Sequence, residues 1–470
     1  MAGTITSAGL GSGLAVESII SQLMQLERQP ITQLQSRIST VDARLSALGR
    51  VKSAMTALQT AADKIKSPAG FALFKTEVGD SKVLSASAGS SANVANHSVE
   101  VKSLASTQKL AATGLASSTS TIPTGTLILE LGTLDTGVYT ADPARTYSVP
   151  ITSSNNTLEG LRDAINNLDA DVTASIVNDG SANPARLVLS PKDSGNSNVI
   201  RMSGLAGFDF DPEAPLAGSM EQTVDPKDAV VVIDGITVTK SSNSITDALE
   251  GVTLNLTAEN IGAPTTLAVS QDNEGIKANI QAFVNAYNEV NNLIRTETSF
   301  NAESGAAGTL NSDASVRSVR DQLRTIASSS LSSTVGGLDR LSDIGITFTV
   351  EGTMTINSSA LDKALADPTK DVAGLFTGNS TVSGLATQLS ERLGSLLGVD
   401  GTIASRTSSY TQTKDNFGDR IDHLEQRMTA IEARYRRQYA ALDTLVASMN
   451  GTSSFLSQQL TALQGLSSNR

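Results

Sequence analysis

Two stretches near the ends of the chain carry apolar residues at alternating spacings of three and four. In the N-terminal stretch these positions are Ile31, Leu34, Ile38, Val41, Leu45 and Leu48, and then Met55, Leu58, Ala62 and Ile65. In the C-terminal stretch they are Phe417, Ile421, Leu424, Met428, Ile431 and Tyr435, followed at heptad intervals by Leu442 and Met449. A narrow apolar stripe of this kind predicts a long helix with one buried face.

The two predicted helices, 31–65 and 417–449, match in length, at roughly 50 Å each for a rise of 1.5 Å per residue. Their similar length and heptad period favour pairing with each other as a coiled coil, and separate packing of each helix on an ordinary core is the alternative. Lys52 takes the one stripe position that is not apolar. A polar residue there could restrict register or partner number, or its stem could lie along the seam with the ammonium in water.

Between the terminal helices, residues 75–272 consist of short β-branched runs separated by Gly, Asn, Pro and Ser, which predicts strands. One amphipathic helix interrupts them at 157–168, with Thr157 or Asn156 as its N-cap. The run AVVVIDGITVT contains Asp234-Gly235, which is typical of a type I′ hairpin turn. The acidic, proline-rich segment 208–226 predicts a linker, so we expect two β-rich domains, 75–207 and 227–272.

From residue 275 the helical period returns, with further helices predicted at about 310–332 and 380–397. Between them, ITFTVEGTMTIN predicts a hairpin that turns at Glu351-Gly352. The expected fold is therefore α+β and multidomain. Paired terminal coiled-coil helices (1–70 and 411–470, each with a flexible tip) and a helical body with one β-hairpin (275–410) enclose the two inserted β-rich domains.

The tips of the two terminal regions, 1–30 and 450–470, are rich in Ser, Gly and Gln and lack a sustained heptad. Alone they would not bury enough apolar surface to offset the entropy of ordering the backbone. Yet seven of their apolar residues have helical spacing, namely Ile19, Ile20, Leu23, Leu26, Leu456, Leu460 and Leu463. We therefore expect tips that are mobile in the free protein and become helical once a partner covers them.

Charge and composition exclude several classes of function. The 470 residues carry a net charge of −12, of which residues 71–410 hold −16 while 1–70 and 411–470 hold +3 and +1. An acidic body argues against a nucleic-acid partner. The chain has no cysteine, so disulfides, thiolate chemistry and cysteine-ligated metals are excluded. No apolar run is long enough to insert in a membrane.

The N-terminus also lacks the pattern of a cleaved secretory signal, because its first basic residue is Arg28. We therefore expect a protein that stays in the cytoplasm or leaves the cell by a route that needs no cleavable signal.

The chain offers no constellation of catalytic residues. Its two histidines, His97 and His423, are isolated, and no serine lies in a Gly-x-Ser-x-Gly elbow. The glycines of GLGSGL at 9–14 follow no predicted strand and lack the Lys-Ser/Thr of a phosphate loop. Asp209, Asp211 and Glu213 lack the spacing of a calcium loop. We predict no catalytic site, no bound cofactor and no metal, and expect the helical seams to be the functional feature.

Several segments, in order, resemble the flagellar filament cap family, also called hook-associated protein two. They are VEVKSLASTQKL at 99–110, NTLEGLRDAINN followed by DVTASIVNDG, VVIDGITVTKSSNSITDALEGVTLNL at 231–256, FVNAYNEVNNLI at 283–294 and LSDIGITFTVEGTMTINSSALDKAL with VAGLF at 341–376. The opening SAGLGSGLAVESIISQLM and the closing ASMNGTSSFLSQQLTALQ also resemble the ends of that family. The resemblance covers nearly the whole chain.

This resemblance implies a closed ring-like homo-oligomer at the extracellular tip of the bacterial flagellum. Its β-rich heads would form a plate, and the paired helices would hang below as legs that contact the filament end. Flagellin would fold beneath the plate into a vacancy, after which the cap steps round. Further implied partners are the flagellar export apparatus and a cytoplasmic chaperone at the C-terminal tip.

Three other interpretations stay open on the sequence. Flagellin or a hook–filament junction protein would also have helical termini around a variable β-rich middle. A surface adhesin could use the exposed acidic head, although no cluster of surface aromatics is evident for binding glycans. An enzyme has the least support, because nucleophile and base constellations are missing.

Overall fold

A computed structural model describes residues 15–331 and 337–467, with the backbone alone for 462–467. The chain forms two compact units. Unit 1 contains the residues up to Pro68 together with those from Lys277 onward, and unit 2 is Ala69–Ile276. The predicted tip residues 1–14, including GLGSGL, lie outside the described residues, as does the side chain of Leu463.

The helices of the described part are mostly in unit 1. They are α1 Val16–Glu27, α2 Gln29–Ile65, α3 Leu158–Asn166, α4 Asn273–Thr298, α5 Ala314–Ser328, α6 Ser358–Ala366, α7 Val372–Thr377, α8 Leu385–Leu397 and α9 Thr402–Ser467. Short 3₁₀ turns occupy Pro68–Gly70 and Leu341–Ile344.

The strands lie mostly in unit 2. They are β1 Phe74–Val78, β2 Leu84–Ala88, β3 Ala95–Ser103, β4 Lys109–Ala112, β5 Gly125–Asp135, β6 Val138–Ile151, β7 Val172–Asn178, β8 Ala185–Pro191, β9 Val199–Ser203, β10 Met220–Val224, β11 Ala229–Ile233, β12 Ile236–Lys240, β13 Ser244–Leu249, β14 Val252–Leu256, β15 Thr265–Gln271, β16 Ile346–Phe348 and β17 Met354–Ile356.

The first β body of unit 2 combines a five-stranded sheet with a three-stranded one. The strand orders are β1-β15-β3-β11-β12 and β13-β14-β2. Alternate residues of these strands, among them Val99, Val231 and Leu254, point into one apolar core. Asp234 and Gly235 have φ of 51° and 85° and join β11 to β12, which confirms the predicted two-residue turn.

The second β body contains the sheets β10-β4-β8-β7 and β6-β5-β9 and helix α3. Leu161 of α3 packs in a core that the strands form with Leu129 and Leu187. The side chain of Thr157 accepts a hydrogen bond from the Gly160 N–H, which confirms the predicted N-cap and with it the predicted helix.

The structure divides unit 2 differently from the predicted 75–207 and 227–272. Strands β1 to β3 pair with strands from the 229–271 region, so the second body is inserted into the first. The predicted linker 208–226 is wrong as well. Phe208, Phe210 and Met220 are buried in the second body, because alternation with aspartate turns both phenyl rings inward. Strand pairing between distant segments is invisible to local pattern.

The body of unit 1 packs around α4. Phe283 and Tyr287 of α4 make edge-on contacts with Phe376 and Phe348, at centroid distances of 6.2 and 5.9 Å. The predicted hairpin is present as β16 and β17, and the side chain of Asn288 bonds both the N–H and the carbonyl of Met354. This clamp fixes the hairpin on α4.

Candidate interaction site on the terminal helices

Helices α2 and α9 lie antiparallel, and ion pairs record their register. Lys414 Nζ lies 2.7 Å from Asp42 Oδ1, and Arg28 Nη2 lies 2.9 Å from Glu425 Oε2. Residue numbers therefore increase along α9 in the direction in which they decrease along α2. We call the region formed by residues 16–43 and 411–467 the stem. Within the stem, ion pairs link α9 to α1, to the N-terminal part of α2 and to Arg28 immediately before it.

An apolar cluster in the stem joins three helices. Val16, Ile20 and Met24 of α1 and Ile31 of α2 are buried against Met428 and Ile431 of α9. Ile421, Leu424, Tyr435 and Tyr439 pack partly buried around them. The predicted helical spacing of this tip on Ile19, Ile20, Leu23 and Leu26 is present as α1, but of the four only Ile20 is buried in the cluster. The prediction that the tip needs a partner to become helical did not foresee packing on α9 of the same chain. The signal that could have revealed it is the i, i+4 series Val16, Ile20, Met24.

The predicted seam residues fall into three groups. Those buried are Ile31, Leu34, Val41, Leu48, Met55, Leu58, Met428 and Ile431. Those half-buried are Ile38, Leu45, Phe417, Ile421, Leu424 and Tyr435. Those exposed are Leu442 and Met449, at 41% and 63%. The heptad extension beyond Tyr435 is therefore not buried within the described part of this chain.

The C-terminal half of α2 packs on α8 rather than on α9. Ser390 Oγ of α8 donates to Asp63 Oδ1 at 2.5 Å and accepts from Lys66 Nζ at 3.3 Å. Pairing of the two predicted helices along their whole length is thus not what the structure contains. The length and period of a stripe do not determine which of several apolar helices covers it. In this protein α8 lies against the C-terminal half of α2.

Lys52 does not occupy the stripe. The buried position in that turn is Val51, and Lys52 is exposed. The series Leu48, Val51, Met55 and Leu58 keeps the alternating spacing without a break, so the predicted polar interruption is wrong. Lys52 therefore neither restricts the register or partner number of the seam nor lays its aliphatic stem along it.

Polar contacts surround the apolar cluster of the stem. Arg436 of α9 donates to Glu17 Oε1 of α1 at 2.7 Å, and the Tyr435 hydroxyl donates to Glu27 Oε1 at 3.0 Å. The hydrogen bond to Glu17, followed by that to Glu432, raises the pKa of Arg436 above its ordinary value. The Arg436–Glu17 ion pair is solvent-exposed, so it orients α1 more than it stabilises it, whereas the Tyr435–Glu27 hydrogen bond is partly buried.

The far end of α9 presents apolar residues that the described part of the chain leaves uncovered. Beyond Tyr439 these are Leu442, Leu445, Met449, Phe455, Leu456 and Leu460, all exposed. Several follow spacings of three, four or seven, so they share one side of the helix. We call these six residues the distal stripe. An apolar stripe of this length on a helix is typical of a surface that binds another protein.

Other chemistry is sparse in the described residues. They contain no group of histidines and carboxylates that could hold a metal ion. His97 Nδ1 lies 2.7 Å from Asp234 Oδ2, which ties β3 to the β11–β12 turn, and His423 is exposed on α9. Among these residues, no helix combines the length and apolar character that crossing a bilayer requires.

Comparison with known proteins gives consistent matches along the chain. Residues 12–108 match the family described as "Flagellar hook-associated protein 2 N-terminus", and residues 226–451 match the corresponding C-terminus. The B-type flagellar hook-associated protein 2 of Pseudomonas aeruginosa is 30% identical and aligns with 97% of this chain and 98% of its own. Flagellar hook-associated protein 2 of Escherichia coli K12 is 31% identical, with the same coverage.

A solved structure gives the same result. The crystal structure of the D1-D2-D3 domains of the flagellar cap protein FliD from Escherichia coli is similar with a TM-score of 0.65 and 28% identity. It covers 78% of this chain and 99% of that one. The likeness therefore extends to the multidomain fold as well as to the sequence.

Proposed function

This chain belongs to the flagellar hook-associated protein 2 family, and from that premise we propose how it acts as the cap at the distal tip of the bacterial flagellar filament. The cap promotes ordered insertion of flagellin subunits and prevents their loss. In this role the stem is the leg that contacts the filament end, as a detachable coiled coil.

The observation that carries this assignment of the leg is the distal stripe. Its six apolar residues project from a helix whose preceding turns are held by α1 and α2. Burial of each methylene contributes about 0.8 kcal/mol. Contact through the few apolar side chains of the distal stripe is strong enough to hold a cap subunit on the filament end. It is also weak enough to break and form again when the cap moves after each added flagellin.

Assembly into a closed ring with other copies follows from the same role. The net charge supports an arrangement in which legs rather than heads provide the apolar contact. Unit 2 carries 11 basic and 24 acidic side chains, whereas unit 1 carries 24 and 23. Acidic heads repel one another at long range, so their contacts in the ring must be local and specific.

The location that follows from this role is extracellular, reached by passage through the flagellar export apparatus. We further propose that a cytoplasmic chaperone covers the C-terminal tip before export. Exposed Leu456 and Leu460 support this step, because an uncovered apolar helix would otherwise associate non-specifically in the cytoplasm.

A deletion strain tests the proposal. Cells without this protein should secrete flagellin as monomer and carry hooks without filaments, and the intact chain should restore filaments. A variant with Leu456→Ser and Leu460→Ser should fold normally but fail to restore them. Full-length filaments in the deletion strain would overturn the cap function, and full rescue by the double variant would overturn the role of the distal stripe.

A further inference from the structure

Helix α9 carries charged residues on both flanks of its apolar stripe in the stem, and the chain itself supplies partners for one flank. On that flank, Glu425 pairs with Arg28 at 2.9 Å. The other flank holds an arginine every seven residues, directly before the stripe positions 421, 428 and 435. These residues, which we call the arginine stripe, are Arg420, Arg427 and Arg434. All three are exposed, and within residues 15–331 and 337–467 none of them forms an ion pair.

The arginine stripe also lacks opposite charges on its own helix. An ion pair along a helix joins residues three or four positions apart. Those positions around the stripe hold amide, apolar or basic side chains and no carboxylate. Arg434 lies 5.5 Å from the ring centroid of the adjacent Tyr435, a contact that supplies no full negative charge. Charged residues at this heptad position of a coiled coil select the neighbouring helix, so the stripe indicates a partner that presents carboxylates.

The same helix presents carboxylates on a different side. Asp415, Asp419 and Asp422, which we call the aspartate stripe, are exposed and form no ion pair with any other described residue. Their spacings of four and three place like charges next to each other, which destabilises an isolated helix. Arg420 follows Asp419 by one residue, so the two stripes are turned by about 100° around the helix axis. Each stem therefore has a basic face and an acidic face that point in different directions.

From these two faces we propose that the stems of adjacent copies contact each other, with the arginine stripe of one copy against the aspartate stripe of the next. The inference rests on the proposed function, because it assigns surfaces to the contacts of the proposed ring. Copies related by rotation about a ring axis lie at the same height, so Arg420 of one copy comes opposite Asp419 and Asp422 of the next.

The use of two different faces determines the kind of assembly. Contacts between unlike faces join copies head to tail and can close into a ring, whereas one face paired with itself stops at a dimer. Because both stripes are exposed, their contact selects the partner and fixes the relative height of the stems more than it adds affinity.

Thiol crosslinking tests this contact in the full-length protein, which has no native cysteine. Asp419→Cys and Arg420→Cys chains are assembled together in equal amounts and treated with a short bis-maleimide reagent. We expect crosslinked dimers from this mixture and none from either variant alone, because unlike faces meet. A mixture of Asp419→Cys with Lys52→Cys is the control and should give no dimers, since Lys52 is exposed outside the stem. Dimers from one variant alone, or none from the first mixture, would overturn the inference.

Charge reversal gives an independent measurement by analytical ultracentrifugation. Arg420→Glu with Arg427→Glu should raise the protein concentration at which half of the chains are assembled by about fivefold or more at low salt, and by less at high salt. Asp419→Arg with Asp422→Arg should have the same effect. Lys52→Glu makes a like change of charge outside the stem and should leave assembly unchanged. An equal mixture of the two reversed variants recreates opposite charges between copies and should restore assembly.

The mixture separates contacts between copies from effects within one chain, because it changes neither variant internally. Unchanged assembly of both reversed variants, or a loss that mixing does not recover, would contradict the paired stripes. If the arginine stripe binds flagellin instead, both variants assemble normally and the arginine variant alone fails to restore filaments. The cap function is measured separately, by whether the unsubstituted chain restores filaments in the deletion strain.

Discussion

Asp313 Oδ2 accepts a hydrogen bond of 2.5 Å from Arg406 Nε, although Asp313 is only 1% exposed. The Tyr410 hydroxyl donates to the same oxygen at 2.9 Å, and Asp313 Oδ1 accepts from the Ser315 N–H as the N-cap of α5. Arg44 of α2 lies over the Tyr410 ring, 5.8 Å from its centroid. A single buried carboxylate therefore joins α5 to α9, and Arg44 adds α2 through the Tyr410 ring, next to the end of the stem.

Removing the cation from this junction should destabilise unit 1. Arg406→Ala leaves the Asp313 carboxylate buried without its charged partner, which we expect to cost about 3 kcal/mol. Arg320→Ala is the matched control, because the Arg320–Asp321 pair on α5 is exposed and should contribute at most about 1 kcal/mol. Urea unfolding of both variants measures the two values, and equal losses would contradict the special role of the junction.

The same junction predicts a pH dependence of stability. Burial, the largest influence, raises the pKa of Asp313, but hydrogen bonds from Arg406 and Tyr410 outweigh it and hold the pKa below the ordinary 3.8. Asp313 thus contributes stability that is fully present above pH 3.8 and is lost as the pH falls through the folded-state pKa.

A comparison with Asp313→Asn measures that dependence. The variant keeps a side-chain oxygen for the N-cap but cannot ionise. The gap in melting temperature between wild type and variant should be constant from pH 7 to about 5 and should close below about pH 3.8. A gap that persists undiminished to pH 2 would show that ionisation of Asp313 is not its source.

A charge placed in the apolar cluster of the stem should release α1. Ile431→Asp buries an unpaired carboxylate among Val16, Ile20 and Met24, at a cost of several kcal/mol. Hydrogen exchange at residues 17–26 should then rise while residues 280–294 stay protected. Leu442→Asp is the control, because position 442 is exposed, and it should leave the exchange of α1 unchanged. Equal protection of α1 in both variants would mean that the cluster does not hold it.

The register of the stem can be tested by exchanging charges. Glu425→Arg places two cations together at Arg28 and should destabilise the stem by up to about 1 kcal/mol. Adding Arg28→Glu restores an opposite-charge pair and should recover most of the loss. Because the pair is exposed, the effect should shrink at high salt. Additive losses in the double variant would indicate that these residues do not face each other.

Local pattern predicted the elements of this protein well. Hydrophobic spacing predicted the long terminal helices, Thr157 marked the start of α3, and Asp234-Gly235 marked the β11–β12 turn. These features depend on a few neighbouring residues, since a helix cap or a two-residue turn is set by local hydrogen bonds and allowed φ angles. Half of the predicted seam residues are buried, because helical spacing sets which residues share one face of a helix.

Only the tertiary structure decided which elements meet. Strand β3 pairs with β11 and β15 from more than a hundred residues away, the supposed linker buries Phe208 and Phe210, and α2 divides its stripe between α8 and α9. An apolar stripe shows that one face of a helix must be buried, but it does not identify the element that buries that face. The Asp313 junction could likewise not be predicted from the sequence, because it depends on residues brought together by the packing of separate helices.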